Sequence, residues 1–356
     1  MGVLDLYLKY QRAVRRDRNV AISFRKQLEN PKRVTVLIPG DDRMPAVVVP
    51  ALRLLRAHHP DIRIVLVAGP DNIDAIRKEK MADKSIVFHR KRGTTQIGEI
   101  KRVAKEVSKL DPQLLLLFDP EHEPSLLALA EATGTPLRVG FGNGDRYPYL
   151  NFQMAPPEKD LYLADAFLKL VGSLTGEFVD FLDDRVRLRI PEGDVTRATR
   201  LLHFWQPKSD KLLFAVEPPA GGRDSDLQKY AGIARLLVKA YDARIMVLTE
   251  PREKAAGEAL EQKLGALEPY RAPVEGMHES IAFLSRVDLF VGPNAPLFHH
   301  AVAMGTPAVG LFTRADAAWW YPPDDVRARA LDLGHKMTEE IFLKAVQEVG
   351  SPEDVS

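Results

Sequence analysis

The most informative segment of this 356-residue chain is Asp288-Leu-Phe-Val-Gly-Pro-Asn-Ala-Pro-Leu-Phe-His-His-Ala-Val-Ala-Met-Gly-Thr-Pro-Ala-Val-Gly-Leu-Phe312. An apolar strand runs to Gly292, a tight turn follows, and a helix starts near Pro296 with Asn294 or Ala295 at its cap. Such a turn leaves backbone N–H groups without intrahelical partners. It also aims the positive end of a helix dipole at the carboxyl edge of a sheet, where phosphate groups bind. The same turn is equally common as plain structure, and both readings stand on these residues alone. His299 faces the inner side of the helix, where contact with a phosphate ligand competes with a hydrogen-bonded core role. His300 points elsewhere and reads as structural.

Other residues with usable chemistry fall at strand ends. Glu217 follows one apolar run, and Thr249 with Glu250 follows the next. In a doubly wound sheet these positions form the switch-point edge along which a nucleoside lies. Asp119 and Glu121 hold the comparable place in the first half of the chain. The nine histidines show no metal-ligand spacing and no HExxH. The Gly-rich fingerprints of dinucleotide and Walker-type loops are missing, which disfavours a classical NAD enzyme or a P-loop kinase.

The elements that must position these groups alternate between Val/Ile/Leu-rich runs and helical patterns, the signature of parallel sheets covered on both faces. Strands are predicted at 34–38, 62–68, 85–89, 114–118 and 137–141, with helices at 45–58, 70–81, 97–110 and 124–133. Residues 141–157, rich in Gly, Asn, Tyr and Pro, read as an extended loop. A helix over 160–172 and a short strand or linker at 188–191 lead to a second α/β series beginning at 212–216. Two sheet domains joined near 185–208 follow from this pattern. The expected division is a basic N-terminal extension (1–33), a first Rossmann-like domain (34–187) and a second Rossmann-like domain (188–335), with a final helix in 336–356. That helix starts with capping chemistry at Thr338 and Glu340 and is expected to return to the first domain.

Composition narrows the function classes. Fifty Lys and Arg against 49 Asp and Glu give a net charge of +1, so no whole-protein field gathers a nucleic acid polymer. The absence of cysteine removes disulfides, thiol nucleophiles and Cys-based zinc sites. Residues 1–6 lack the features of a secretory signal, and the longest clean apolar run, 114–118, falls far short of a membrane span. A cytoplasmic protein is expected. Residues 1–33 are locally basic with an apolar side, which suits either a helix packed on its own domain or one lying peripherally on the inner membrane.

The residues of the 288–312 segment carry a resemblance. Gly292, His299, Ala301, Ala303, Gly305, Thr306, Pro307 and Phe312 match, without a gap, the C-terminal motif of glycosyltransferase family 9, the ADP-heptose lipopolysaccharide heptosyltransferases. Asp316, Trp320 and Pro322 resemble that family's following loop, and His278–Leu284 its preceding helix. Pro50, Ala51, Leu52, Pro60, Asp61 and Ile64 resemble its first helix and second strand, and 161–171 the helix before its interdomain link. The resemblance spans the first strand to about residue 323. It implies an α/β GT-B fold, two Rossmann-like domains facing across a cleft, and an inverting transferase without a metal or other cofactor.

It also implies roles for single residues. The family's base is an Asp after the first strand; that position is Met44 here, its preceding Gly is Arg43, and Asp41 and Asp42 lie two or three residues early. Asp41 or Asp42 is therefore the expected base that deprotonates the acceptor hydroxyl. The family's acidic, Ser/Thr and Gly motif residues become Asn294, Ala295 and Pro296. Proline suits the first helical position but removes a donor, and Ala295 removes a hydroxyl. Arg223 falls where the family has a phosphate-contacting Lys, and with the Ala295 backbone would hold the leaving diphosphate. Without the resemblance Arg223 reads equally well as a solvated loop residue beside Asp224 and Asp226.

The resemblance thus implies transfer of a heptose-like sugar from a nucleotide-diphosphate donor, expected to be an ADP-sugar, to a lipopolysaccharide core or other glycan or glycolipid acceptor. The competing reading is a catalytically inactive GT-B protein that binds a ligand or serves as a scaffold, because the departures fall on the motif itself.

Overall fold

The computed structural model describes residues 6–7, 31–142, 149–158, 161–180, 188, 190–205, 210–313, 316–323, 326–333 and 337–350. Two compact units result: Met1–Glu158 with Leu163–Val186, and Lys159–Tyr162 with Arg187–Ser356.

The first unit contains β1 (Arg33–Leu37), α1 (Met44–His58), β2 (Arg63–Ala68), α2 (Pro70–Lys78), β3 (Lys84–Val87), α3 (Thr94–Ser108), β4 (Leu114–Leu117), α4 (Pro124–Ala132), β5 (Leu137–Phe141), β6 (Phe152–Met154) and α5 (Leu163–Thr175). Its six strands are all parallel, in the order β3-β2-β1-β4-β5-β6. Parallel strands buried on both faces need apolar side chains at every position, which is why Leu114–Leu117 is a run of four leucines at 0–1% exposure. On one face Ile100, Val103 and Val107 of α3 and Leu126–Ala130 of α4 pack on Leu37, Val67, Leu115 and Leu117. On the other face α1 packs along α5.

The second unit contains α6 (Glu192–Trp205), β7 (Leu213–Val216), α7 (Asp224–Tyr241), β8 (Arg244–Val247), α8 (Lys254–Lys263), β9 (Tyr270–Arg271), α9 (Met277–Leu284), β10 (Leu289–Pro293), α10 (Pro296–Met304), β11 (Ala308–Phe312), β12 (Ala328–Asp332) and α11 (Glu339–Gly350). Its order, β12-β11-β10-β7-β8-β9, repeats the winding of the first sheet, again with every pair parallel. In both sheets the strand order reverses beside the unit's first strand. The switch points therefore lie between β1 and β4 and between β7 and β10.

Several expectations are corrected. The final helix, α11, packs in its own, second unit: Phe342, Ala345, Val346 and Val349 are buried in that unit's core with Val309 and Leu311. Four apolar residues at helical spacing need a hydrophobic face, and the β11 side of the second sheet supplies one. The expected capping is present at Thr338, whose Oγ1 accepts the Ile341 N–H at 3.2 Å. The 141–157 loop contains β6, paired to β5. The expected linker contains the helix α6, in which only Ala198 is fully buried. A helix that buries so little leaves a faint apolar periodicity. Residues 1–5 and 8–30, on which the membrane-surface expectation rests, lie outside the described residues. Tyr7 packs against the first unit's core. No described helix is long and apolar enough to cross a membrane.

Candidate functional site

At the second switch point, β7 ends at Val216 and passes directly into Glu217, whose N–H donates to Val291 O of β10 at 2.9 Å. The Glu217 side chain is 3% exposed. It fits because its neighbour is Gly292: a Cβ there would lie 3.0 Å from Glu217 Oε2 and 2.6 Å from the Phe290 ring. Glycine here makes room for a carboxylate at the carboxyl edge of the sheet. Thr249, at the end of β8 on the same edge, is buried against Gly257 of α8. Glu250 follows it, with Arg252 3.0 Å from its carboxylate.

Between β7 and α7 the chain turns through Gly221 and Gly222, both at positive φ (73° and 50°), where a side chain would be strained. The Gly222 N–H closes this turn on Pro219 O at 3.2 Å, and the Gly221 N–H reaches Glu253 Oε2 at 3.3 Å. Arg223 then caps α7. Its guanidinium is 83% exposed and pairs with Asp226 at 2.9 Å. Tyr230, one turn further along α7 and 1% exposed, has its hydroxyl pushed well above the usual phenol range by burial, then by the nearby charges of Glu217, Asp226 and Asp316. This edge of the second sheet is thus acidic, with Arg223 at its rim.

The turn after β10 is shaped by internal hydrogen bonds. The Ala295 N–H donates to Pro293 O at 2.8 Å, so the amide expected to hold a leaving group is already engaged. Its extended conformation, φ −133° and ψ 169°, turns the chain into α10 with Pro296 at the first helical position. Asn294 Nδ2 donates to Asp316 Oδ1 at 2.7 Å. Asn294 Oδ1 accepts from His299 Nε2 at 2.7 Å, and His299 Nδ1 lies 3.0 Å from Tyr162 OH. His299 is fully buried, stacked on Tyr162 with ring centroids 6.0 Å apart and 4.8 Å from the Trp320 ring. Asp316 Oδ2 accepts from Thr313 N at 2.7 Å and Thr313 Oγ1 at 3.1 Å. His300 is buried; its Nδ1 hydrogen-bonds Pro296 O at 2.6 Å. Burial lowers its pKa to about 4, against the raising effect of that bond.

The structure therefore brings Glu217 and Gly292 into contact and joins Asn294 to His299. It sets Thr249 and Glu250 on the neighbouring strand end and leaves Arg223 at the rim. Tyr162, Trp320 and the hydrogen-bonding role of Asp316 emerge only in the folded chain. Tyr162 is 137 positions from its histidine, and nothing in local spacing could have linked them.

In the first unit, Asp41 and Asp42 follow β1 at the other switch point. The Asp41 carboxylate accepts the Arg43 side chain through both oxygens, at 2.9 and 2.5 Å, and the Arg43 N–H at 3.0 Å. Met44, at the position of the expected base, is the first residue of α1 and 2% exposed. Asp119, past the end of β4 across the same switch point, is 1% exposed. Burial raises its pKa to about 6, although it accepts the N–H groups of Glu123 (2.6 Å) and Glu121 (3.1 Å). Among the described residues no group of three or more His, Asp or Glu is placed to hold a metal ion.

No protein-family model and no curated protein matches the chain in sequence. The fold matches solved structures over most of its length. A glycosyltransferase family 9 protein from Veillonella parvula superposes with a TM-score of 0.68 at 16% identity, covering 90% of this chain and 97% of that one. The E. coli heptosyltransferase WaaC with ADP-2-deoxy-2-fluoro heptose gives 0.61 at 14% identity, covering 89% and 99%. A UDP-GlcNAc 2-epimerase from Methanocaldococcus jannaschii, in complex with UDP-GlcNAc and UDP, gives 0.53 at 14%, covering 90% and 94%. The two six-stranded parallel sheets with flanking helices are the GT-B fold, as expected from the resemblance.

Proposed function

We propose that this protein is a glycosyltransferase that takes a nucleotide-diphosphate sugar at the β7/β10 edge of its second unit. The observation that carries the reading is the buried Glu217 carboxylate beside Gly292 at the switch point, with Thr249 on the next strand end and Arg223 at the rim. A carboxylate at a strand end accepts hydrogen bonds from ribose or sugar hydroxyls, and an arginine at the rim of the edge suits a diphosphate. The named ligands of the structural neighbours, an ADP-heptose analogue and UDP-GlcNAc, support a nucleotide sugar as the donor. An ADP-linked heptose-like donor and a lipopolysaccharide core or other glycolipid acceptor are the finer form of the proposal.

In the inverting reaction, a carboxylate after β1, Asp41 or Asp42, removes the proton of the acceptor hydroxyl. The oxygen attacks the anomeric carbon from the face opposite the nucleotide, and the C–O bond breaks with its electron pair passing to the diphosphate. Arg223 compensates the charge that develops there. Activity without a metal or other cofactor, and attachment of residues 1–33 to the cytoplasmic face of the inner membrane, belong to the same proposal.

A second reading, a GT-B protein that binds a nucleotide sugar without transferring it, is favoured by one specific arrangement. Asp41 is held through both oxygens by Arg43, and Met44 is buried where a base is expected. Calorimetric titration with ADP- and UDP-sugars, followed by a transfer assay, separates the two. The transferase reading expects binding, turnover, and loss of turnover in Asp41→Ala or Asp42→Ala. Binding without turnover, unchanged in both variants, supports the inactive protein; no binding by either nucleotide sugar overturns both.

A further inference from the structure

The four side chains Tyr162, His299, Asn294 and Asp316 form one string of hydrogen bonds within the second unit, and donor and acceptor chemistry orders its protons for a neutral His299. An ionised carboxylate only accepts, so the Asn294 atom 2.7 Å from Asp316 Oδ1 is the amide nitrogen. The other Asn294 atom is then the carbonyl oxygen, which also only accepts, so His299 carries its proton on Nε2. In the neutral ring with its proton on Nε2, Nδ1 is an acceptor, and the Tyr162 hydroxyl 3.0 Å away donates to it. In that tautomer these three bonds point the same way, from Tyr162 towards the carboxylate.

The string joins parts of the chain that are otherwise far apart. Tyr162 ends the Lys159–Tyr162 segment, which belongs to the second unit although the residues on either side of it belong to the first. His299 is the fourth residue of α10, Asn294 lies in the β10–α10 turn, and Asp316 closes the loop after β11 onto Thr313. His299 is wrapped by the Tyr162 and Trp320 rings, so the imidazole has no room to swing away. Tyr162 and His299 are buried and Asn294 and Asp316 half-buried; polar side chains linked in this way reinforce one another, so loss of one member weakens the hold on the others.

We propose that Tyr162 and His299 are positioning residues for the donor. They hold the Asn294 amide, and through it the turn at the end of β10, in the one orientation that presents this edge to a nucleotide-diphosphate sugar. This rests on the functional reading above. It reassigns Asn294 and His299 from contacting the ligand to shaping the surface the ligand meets.

Two replacements of His299 in the full-length protein separate positioning from packing. In His299→Gln the side-chain amide reaches the place of Nε2 and can still donate to Asn294; in His299→Asn it reaches only the place of Nδ1. With ADP and UDP-GlcNAc as titrants, the glutamine variant is expected to stay within about threefold of the wild-type dissociation constant. The asparagine variant is expected to weaken by about tenfold, the scale of one part-buried hydrogen bond. Equal weakening in both, in step with equal falls in melting temperature, would mean that the ring only fills space, and the proposal fails.

An exchange pair gives an independent arm. Asn294→Asp sets two carboxylates against each other and should weaken binding and lower the melting temperature. Adding Asp316→Asn reverses the hydrogen bond and should recover both; no recovery overturns the string. Failure of the nucleotide reading looks different. Wild-type protein would bind neither titrant, while the ring-nitrogen resonances of 15N-labelled His299 would still show the Nε2–H tautomer and the exchange pair would still recover its melting temperature. In that outcome the string stands and its role towards a donor falls; a Nδ1–H tautomer overturns the string itself.

Discussion

His300 shows at residue scale how a buried ring sets a pH limit. It lies inside the second unit with Nδ1 bonded to Pro296 O, and burial lowers its pKa from 6.5 to about 4. The unfolded chain takes up a proton near pH 6.5 that the folded chain refuses until about pH 4. The stability tied to this neutral ring is therefore complete above pH 6.5 and is lost as pH falls towards 4, by about 3 kcal/mol across that window. His300→Asn places an amide donor near Nδ1 and cannot be protonated. Urea titrations from pH 7 to 4 should show a flatter acid limb in that variant than in the wild type. Asp41 lies at the same scale: its pairing with Arg43 bears directly on whether it can act as a base. Arg43→Ala should raise transfer activity several-fold if Asp41 is that base, as read by initial rates at saturating donor.

The strand ends and helix starts carry the site at the scale of elements, and their glycines and caps are sensitive to small changes. In Gly292→Ala the new methyl meets the Phe290 ring at 2.6 Å and the Glu217 carboxylate at 3.0 Å, so both buried side chains must shift to admit it. Overpacking of this kind costs about 1–3 kcal/mol, so chemical denaturation should show a loss in that range together with weakened nucleotide-sugar binding. Thr338→Ala should cost about 1 kcal/mol by removing the cap on the Ile341 N–H, with no effect on ligand binding, since the helix it starts packs on the β11 side of the core. The strands were legible in the sequence because a parallel strand buried on both faces has to be apolar throughout. The helix α6 and the short strands β6, β9 and β12 were not. Each buries too little, or pairs at a sheet edge over too few residues, to impose a pattern.

The two units, taken as the whole molecule, each have a complete core of their own, the first around Leu115, Leu117, Ile100 and Val103, the second around Val216, Val291, Leu237 and Phe342. Heat unfolding is accordingly expected to depart from a single two-state transition. Leu115→Ala, in a strand at 0% exposure, should lower one calorimetric transition by an amount matching about 2–5 kcal/mol while the other keeps its midpoint. One transition that shifts as a block would show the two cores to be thermodynamically inseparable.

The sequence by itself determined the class of fold, the alternation of strands and helices, and the strand-end positions of Glu217, Thr249, Asn294 and Asp119. All of these follow from local apolar periodicity and from turn chemistry within a few residues. Only the tertiary structure decided what those positions touch. It joined Tyr162 to His299, closed Arg43 onto Asp41, engaged the Ala295 amide with Pro293, and sent the last helix to the second core. Hydrogen-bond partners depend on where remote segments meet, and chain position alone records no such distance.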